Sequence, residues 1–297
     1  MSFPEHVKIV EVGPRDGLQN ETRILSTEQR IDFIQNLASS GLQHIEAGSF
    51  ISPKWVPQMA NTAEVLAGLE PDADIHYPVL VPNLPGMQDA LAAGAREVSV
   101  FAAASETFSQ KNINCSIADS LDRFAEVMAL AKANDIRVRG YVSCVLGCPY
   151  EGEIEIQQVA AISQKLYDIG CYEISLGDTI GAGTPLKTRT LIEAVAQKIG
   201  IENIAVHFHD TYGQALVNLY AALQLGVRSI DSSVAGLGGC PYAKGASGNV
   251  ASEDVVYMLD GMGINTGIDL EKLVASGRAI CEQLDILVRS KVNLALQ

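Results

Sequence analysis

Two histidines separated by a single residue, in His207-Phe208-His209-Asp210, close the apolar run Ile204-Ala205-Val206. If that run is a strand, side chains two apart share a face, so both imidazoles project together and Phe208 faces away. Paired neutral imidazoles on a rigid face beside a carboxylate make half of a divalent metal site. The competing reading is a pair of hydrogen-bonded core histidines. Far upstream, Gly13-Pro14 leads into the polar group Arg15-Asp16-Gly17-Leu18-Gln19-Asn20, and far downstream residues 236–249 read GLGGCPYAKGASGN. Asp16, His207, His209 and Asn249 are the candidate ligands. Two nitrogens, a carboxylate and an amide oxygen suit an octahedral Mg²⁺ or Mn²⁺ with positions left for substrate. Zinc is expected to recruit a thiolate or a third imidazole, a question that Cys240 keeps open. Asp16 has an alternative as a loop carboxylate paired with Arg15, and Asn249 as a helix cap before Ser252-Glu253.

Arg15 is either a plain ion-pair residue or the group that holds a developing oxyanion. Glu46 either ties Arg15 or a loop, or sets a neighbour's pKa in a dry site. Cys240 sits in a glycine-rich loop able to close over a ligand, its alternative being a small buried hydrophobe. Cys115, Cys144, Cys171 and Cys281 keep that second reading.

These residues need a frame. Strands are predicted over 7–12, 43–47, 75–81, 97–101, 137–144, 172–176, 204–208 and 229–232. Helices are predicted over 26–40, 59–66, 87–93, 117–133, 154–169, 187–199, 215–225 and 253–259, with 104–114 a long connection. The helix over 26–40 opens on the capping-box sequence Ser26-Thr27-Glu28-Gln29 and carries Ile31, Ile34 and Leu37 on one stripe. Strands alternating with helices imply parallel pairing through crossovers. Eight such units fit an α/β fold of the (β/α)8 TIM-barrel type, read as one domain over 1–297 with extra helices from about residue 264. An open doubly wound sheet is the runner-up, disfavoured because no Gly-x-Gly-x-x-Gly follows the first strand. Working residues of such a barrel lie at the C-terminal ends of its strands. There the polar residues collect: Arg15, Asp16 and Gln19; Glu46 and Ser49; Arg139, Tyr141 and Ser143; Ser175, Asp178 and Thr179; His207, His209 and Asp210. Gln19, Ser49, Tyr141, Ser175 and Thr179 are expected, with Arg15, to contact substrate.

At 297 residues and 47% hydrophobic the chain can bury a large core, and its net charge of −14 argues against nucleic acid or an anionic membrane as partner. No apolar run reaches the ~20 residues that span a bilayer. Neither terminus reads as a targeting signal. Six cysteines are too few for a disulfide scaffold in this length, so a reducing cytoplasm is expected.

The stretch 13–20 (GPRDGLQN), the His207-x-His209 pair and the loop 236–249 together resemble the 3-hydroxy-3-methylglutaryl-CoA lyases, within the metal-dependent lyase and acyltransferase barrels. The resemblance runs from Val7 to about Leu287. The Arg-Asp and His-x-His elements mark only the superfamily, whereas the loop points to the lyase branch. It implies cleavage of 3-hydroxy-3-methylglutaryl-CoA to acetyl-CoA and acetoacetate, a step of leucine degradation and ketone-body formation. By the same resemblance Asp16, His207, His209 and Asn249 hold the metal, and Arg15 is the oxyanion partner. Cys240 is a catalytic thiol on a mobile loop, and Glu46 and Asp178 are supporting acids. The proton on the substrate hydroxyl is assigned to the Asp178–His207 region. The segment 111–115 also looks like the family's and is expected on the CoA side. Rival readings are a lyase for a longer 3-hydroxy-3-alkylglutaryl-CoA, a Claisen-condensing relative, and a non-catalytic acyl-CoA binder. An acyl-CoA is the expected partner, and a homodimer or higher homo-oligomer stays open.

Overall fold

In the computed structural model, which describes residues 3–70, 72–238 and 248–297, the strands form one parallel sheet. They are β1 (Lys8–Glu11), β2 (His44–Ile45), β3 (Gly48–Ser49), β4 (Val79–Leu80), β5 (Glu97–Ala103), β6 (Arg137–Ser143), β7 (Ile174–Asp178), β8 (Ile204–Phe208) and β9 (Ser229–Ser232). Their order is β2-β1-β9-β8-β7-β6-β5-β4-β3. The two ends of that order are halves of one strand. β2 pairs with β1 (Val10 beside His44), and β3 pairs with β4 (Gly48 beside Val79). Between them the Glu46 N–H reaches the Glu11 carbonyl at 2.9 Å and the Ala47 N–H reaches that of Pro78 at 2.9 Å. The broken strand thus joins the first position to the third and closes a TIM-barrel-like α/β fold. The expected eight strand positions stand, with the second one interrupted at Glu46 and Ala47.

Helices alternate with the strands: α1 (Thr27–Ser39), α2 (Thr62–Gly68), α3 (Leu84–Ala92), α4 (Glu106–Ile113), α5 (Ile117–Ala133), α6 (Ile156–Asp168), α7 (Pro185–Ile199), α8 (Ala215–Gln224) and α9 (Ser252–Gly261). α1 begins with the expected reciprocal cap between Ser26 and Gln29. Its buried face is Arg30, Phe33, Ile34 and Leu37, so the stripe is rotated from the one expected and Ile31 is only half-buried. The connection over 104–114 departs from expectation, because most of it is α4. Ser105 caps that helix by accepting the Phe108 N–H at 3.0 Å, and Asn114, at φ 51°, ends it. Its sequence ETFSQKNI carries too few apolar residues to show a helical stripe. After the barrel come α10 (Leu270–Leu284), which packs on α1, and α11 (Lys291–Ala295). They are the extra helices expected from about residue 264.

Candidate metal centre and active site

The first strand ends in a π-helical turn, Gly13–Gly17, in which the Gly17 N–H reaches the Val12 carbonyl at 3.1 Å. Such turns are rare and cluster at functional sites. Gly17 is required here: a Cβ on it would lie 2.8 Å from Leu237 Cβ and 2.9 Å from Ser233 Oγ. The turn therefore packs directly on the base of the loop that follows the last strand. It carries Arg15 and Asp16.

Arg15 is buried and doubly paired, Nε with Glu46 Oε2 at 2.6 Å and Nη1 with Asp16 Oδ1 at 2.8 Å. Glu46 is fully buried at the break in the second strand, and its other oxygen accepts from Ser99 Oγ at 2.9 Å. Burial alone disfavours the Arg15 cation, but Glu46 and Asp16 outweigh it and keep the guanidinium charged. Asp16 also accepts from Gln19 Nε2 at 3.0 Å and from Asn249 Nδ2 at 2.8 Å. Burial pushes its carboxyl up, yet Arg15, His207 and His209 overcome that and hold it at about 2.

Donor atoms of Asp16, His207 and His209 all lie within 4.8 Å of one another. His207 Nε2 is 3.9 Å from Asp16 Oδ2. His209 Nδ1 is buried with no hydrogen-bond partner, and one nitrogen of that ring is among the clustered donor atoms. Burial, aided by His207, pulls the His209 imidazole down to about 4, so its lone pair is free at neutral pH. Burial acts the same way on His207. There a hydrogen bond to Asp231 and the charges of Asp16 and Asp231 win, and the pKa is raised. Asn249 is bridged to His209 through the backbone and turns its amide nitrogen to Asp16. The two imidazoles, carboxylate and amide therefore fit a hard divalent ion.

The other expected residues divide. Tyr141 stands edge-on to the His207 ring, with centroids 6.1 Å apart. Its hydroxyl accepts from Arg139 at 2.9 Å and reaches Glu46 Oε1 at 3.4 Å. Ser49 is buried with an unpartnered Oγ. Ser175 donates to Asp231 Oδ2 at 2.8 Å, and Thr179 Oγ1 accepts the Cys144 N–H at 2.8 Å. Asp178 is fully buried and accepts the N–H groups of Ala182 (3.1 Å) and Gly183 (2.7 Å). Burial raises its carboxyl to about 6 against the lowering effect of those bonds. Asp210 accepts the Ala215 N–H at 3.0 Å at the start of α8, and is no member of the three-residue metal cluster. Cys240 lies outside the described residues.

Asp231 was not singled out from sequence. Its Oδ2 is 3.3 Å from His207 Nδ1, and Arg139 grips both its oxygens at 3.0 and 2.7 Å. Burial raises the Asp231 carboxyl, but Arg139 prevails and holds it well below the usual range. Period-two alternation in Ser229-Ile230-Asp231 puts a carboxylate opposite the apolar Ile230 side, a signal available in the sequence.

Residues 6–280 match the family described as HMGL-like. The chain is similar to the mitochondrial hydroxymethylglutaryl-CoA lyase of Gallus gallus, 60% identical over 294 residues that cover 99% of each chain. It is 58% identical, over 96% of its length and 95% of the relative's, to a Pseudomonas aeruginosa protein named 3-hydroxy-3-isohexenylglutaryl-CoA/hydroxy-methylglutaryl-CoA lyase. The crystal structure of hydroxymethylglutaryl-CoA lyase from Pseudomonas aeruginosa matches it with a TM-score of 0.98 at 57% identity, covering 100% of this chain and 99% of that one.

Proposed function

The chain belongs to the HMGL-like family, and from that premise we propose that this barrel mouth cleaves 3-hydroxy-3-methylglutaryl-CoA to acetyl-CoA and acetoacetate. The observation that carries the reading is the convergence of Asp16, His207 and His209 within 4.8 Å, beside an Arg15 locked by Glu46. Asp16, His207 and His209 would hold Mg²⁺ or Mn²⁺, joined by Asn249 with its amide turned over. When bound, that ion supplies Lewis acidity that lowers the pKa of the substrate's tertiary hydroxyl.

The chain's own residues supply the rest. A retro-Claisen cleavage removes the hydroxyl proton, breaks a carbon–carbon bond and leaves a thioester enolate. Removal of the proton falls to the Asp178–His207 region, where burial has brought a carboxyl to about 6, close to working pH. Arg15 meets the developing enolate oxygen, its guanidinium already charged and held in place by two carboxylates. Gln19, Ser49, Tyr141, Ser175 and Thr179 shape the pocket, those with spent hydroxyls acting by position. Cys240 delivers the proton that completes acetyl-CoA.

The dual name of the Pseudomonas aeruginosa relative favours a second reading, in which the pocket also takes a longer 3-alkyl branch. The described cysteines are all free and buried, which supports a reducing cytoplasm as the working compartment. No helix among the described residues is long and apolar enough to cross a membrane. The deciding experiment incubates purified protein with 3-hydroxy-3-methylglutaryl-CoA, with Mg²⁺, with Mn²⁺ and with chelator, and identifies both products. Release of only one product, or turnover indifferent to chelator, defeats the reading.

A further inference from the structure

The barrel interior beneath the mouth departs from the usual layers of branched apolar side chains. A row of charged groups crosses it instead. Lys8 Nζ lies 2.7 Å from Glu173 Oε1, and Glu173 Oε2 lies 2.7 Å from Arg139 Nε. Arg139 then grips Asp231 in a two-pronged contact, and Asp231 Oδ2 meets His207 Nδ1 at 3.3 Å. The guanidinium has a second branch, because Nη1 also donates to the Tyr141 hydroxyl, which reaches Glu46 and so Arg15. Both sides of the candidate centre therefore meet at one buried arginine.

This wiring constrains a proton. A carboxylate held on both oxygens by a guanidinium fork is an acceptor only. Asp231 Oδ2 also takes the Ser175 hydroxyl at 2.8 Å, which leaves it nothing to donate to an imidazole. The hydrogen between Asp231 and His207 must then belong to Nδ1 of the ring. Nε2, the nitrogen facing Asp16 at 3.9 Å, is left with its lone pair bare. We propose that Asp231, fixed by Arg139, is a positioning residue that holds His207 in its Nδ1–H tautomer with Nε2 directed at the Asp16–His209 cluster. A ring free to take the other tautomer would carry a hydrogen where a ligand lone pair is needed.

The proposal rests on the cation reading of that cluster, and the test separates the two. In metal-free wild-type protein, at a pH high enough for the His207 ring to be neutral, ¹⁵N NMR of the histidine rings, with the His207 signal assigned by its loss in His207→Gln, is expected to show Nδ1 protonated and Nε2 bare. Asp231→Asn, whose amide nitrogen can turn to the ring, is expected to abolish that pattern. It should also weaken Mn²⁺ binding, followed by electron spin resonance, about 10- to 100-fold. Circular dichroism checks that the variant is folded. If it is not, the wild-type spectrum decides alone. A neutral wild-type His207 ring with its hydrogen on Nε2, or a folded variant binding Mn²⁺ as tightly as wild type, overturns the proposal. A wild-type protein that binds no Mn²⁺ overturns the cation reading as well, whereas Mn²⁺ binding with an Nε2–H ring overturns only the role of Asp231.

Discussion

Arg15 Nε lies 2.6 Å from Glu46 Oε2, and the pair joins the π-helical turn after the first strand to the break in the second. A fully buried carboxylate at a strand break is costly unless its charge is met. Arg15 meets it, and the break in turn fixes the guanidinium. Arg15→Gln is therefore expected to act twice. Turnover should fall about 10²- to 10³-fold or more, the scale on which oxyanion donors count. Folding stability should fall by about 3–5 kcal/mol because Glu46 is left unpaired. Mn²⁺ affinity should persist, since Asp16 keeps its hydrogen bond from Gln19. Unchanged turnover in steady-state kinetics would remove the oxyanion role.

Asp178 carries a pH prediction. Burial has raised its carboxyl to about 6, so a base there is increasingly protonated as pH drops through that value. kcat/KM at saturating Mn²⁺ is expected to lose a factor of about ten per unit on the acid side of pH 6. In Asp178→Asn the rate should be depressed throughout and that limb lost. A variant that keeps the same acid limb assigns it to another group.

Much of the frame was legible because it rests on local pattern. The strand Ile204–Phe208 is a short apolar run, α1 has its cap in four consecutive residues, and α5 spans the predicted 117–133. What stayed hidden depends on distance along the chain. The sequence offers the tie between Arg15 and Glu46 only as one reading of Glu46, because the two lie 31 residues apart and the strand break that places Glu46 has no local signal. The Arg139–Asp231 fork joins residues 92 apart, and nothing local to either announces the other. Asp210 shows that nearness in sequence is no guide to a shared site. It stands beside the histidines in sequence, yet it accepts the Ala215 N–H at the start of a helix.

Two buried glutamates make stability fall with pH. Burial, the dominant cause for each, raises Glu11 to about 7 and Glu253 to about 8. Below about pH 4.5 folded and unfolded chains both hold these protons. Above it the unfolded chain gives them up first, so the folded state binds more protons and loses stability with rising pH. The loss continues until the folded groups ionise near 7 and 8. Glu253→Gln removes one share, at most about 4–5 kcal/mol, and retains an acceptor for the Ala235 N–H. Melting curves of metal-free protein between pH 5 and 8 should be flatter for the variant. Parallel curves would exclude Glu253 as the source.

Cys240 is tested by function. Cys240→Ser should lower kcat by at least about 10²-fold, the usual contribution of a proton donor, while the melting temperature stays near that of wild type. Near-normal kcat would return the thiol to the role of a small hydrophobe.

Metal removal tests the centre without reference to turnover. His209 Nδ1 is buried and unpartnered, and Asp16 and His207 stand close by, so the metal-free centre holds unmet polar capacity. An ion bound only by the folded state stabilises it through mass action, by about 2.7 kcal/mol at a hundredfold excess over its dissociation constant. For a chain of this length that is a rise in melting temperature of roughly 4–5 °C on adding Mn²⁺ to chelator-treated protein. His209→Ala removes one nitrogen and the orphan together. The variant should melt at about the same temperature with and without Mn²⁺, and its metal-free form should be no less stable than wild type by more than about 1–2 kcal/mol. A shift of equal size in both proteins would place the ion elsewhere in the molecule.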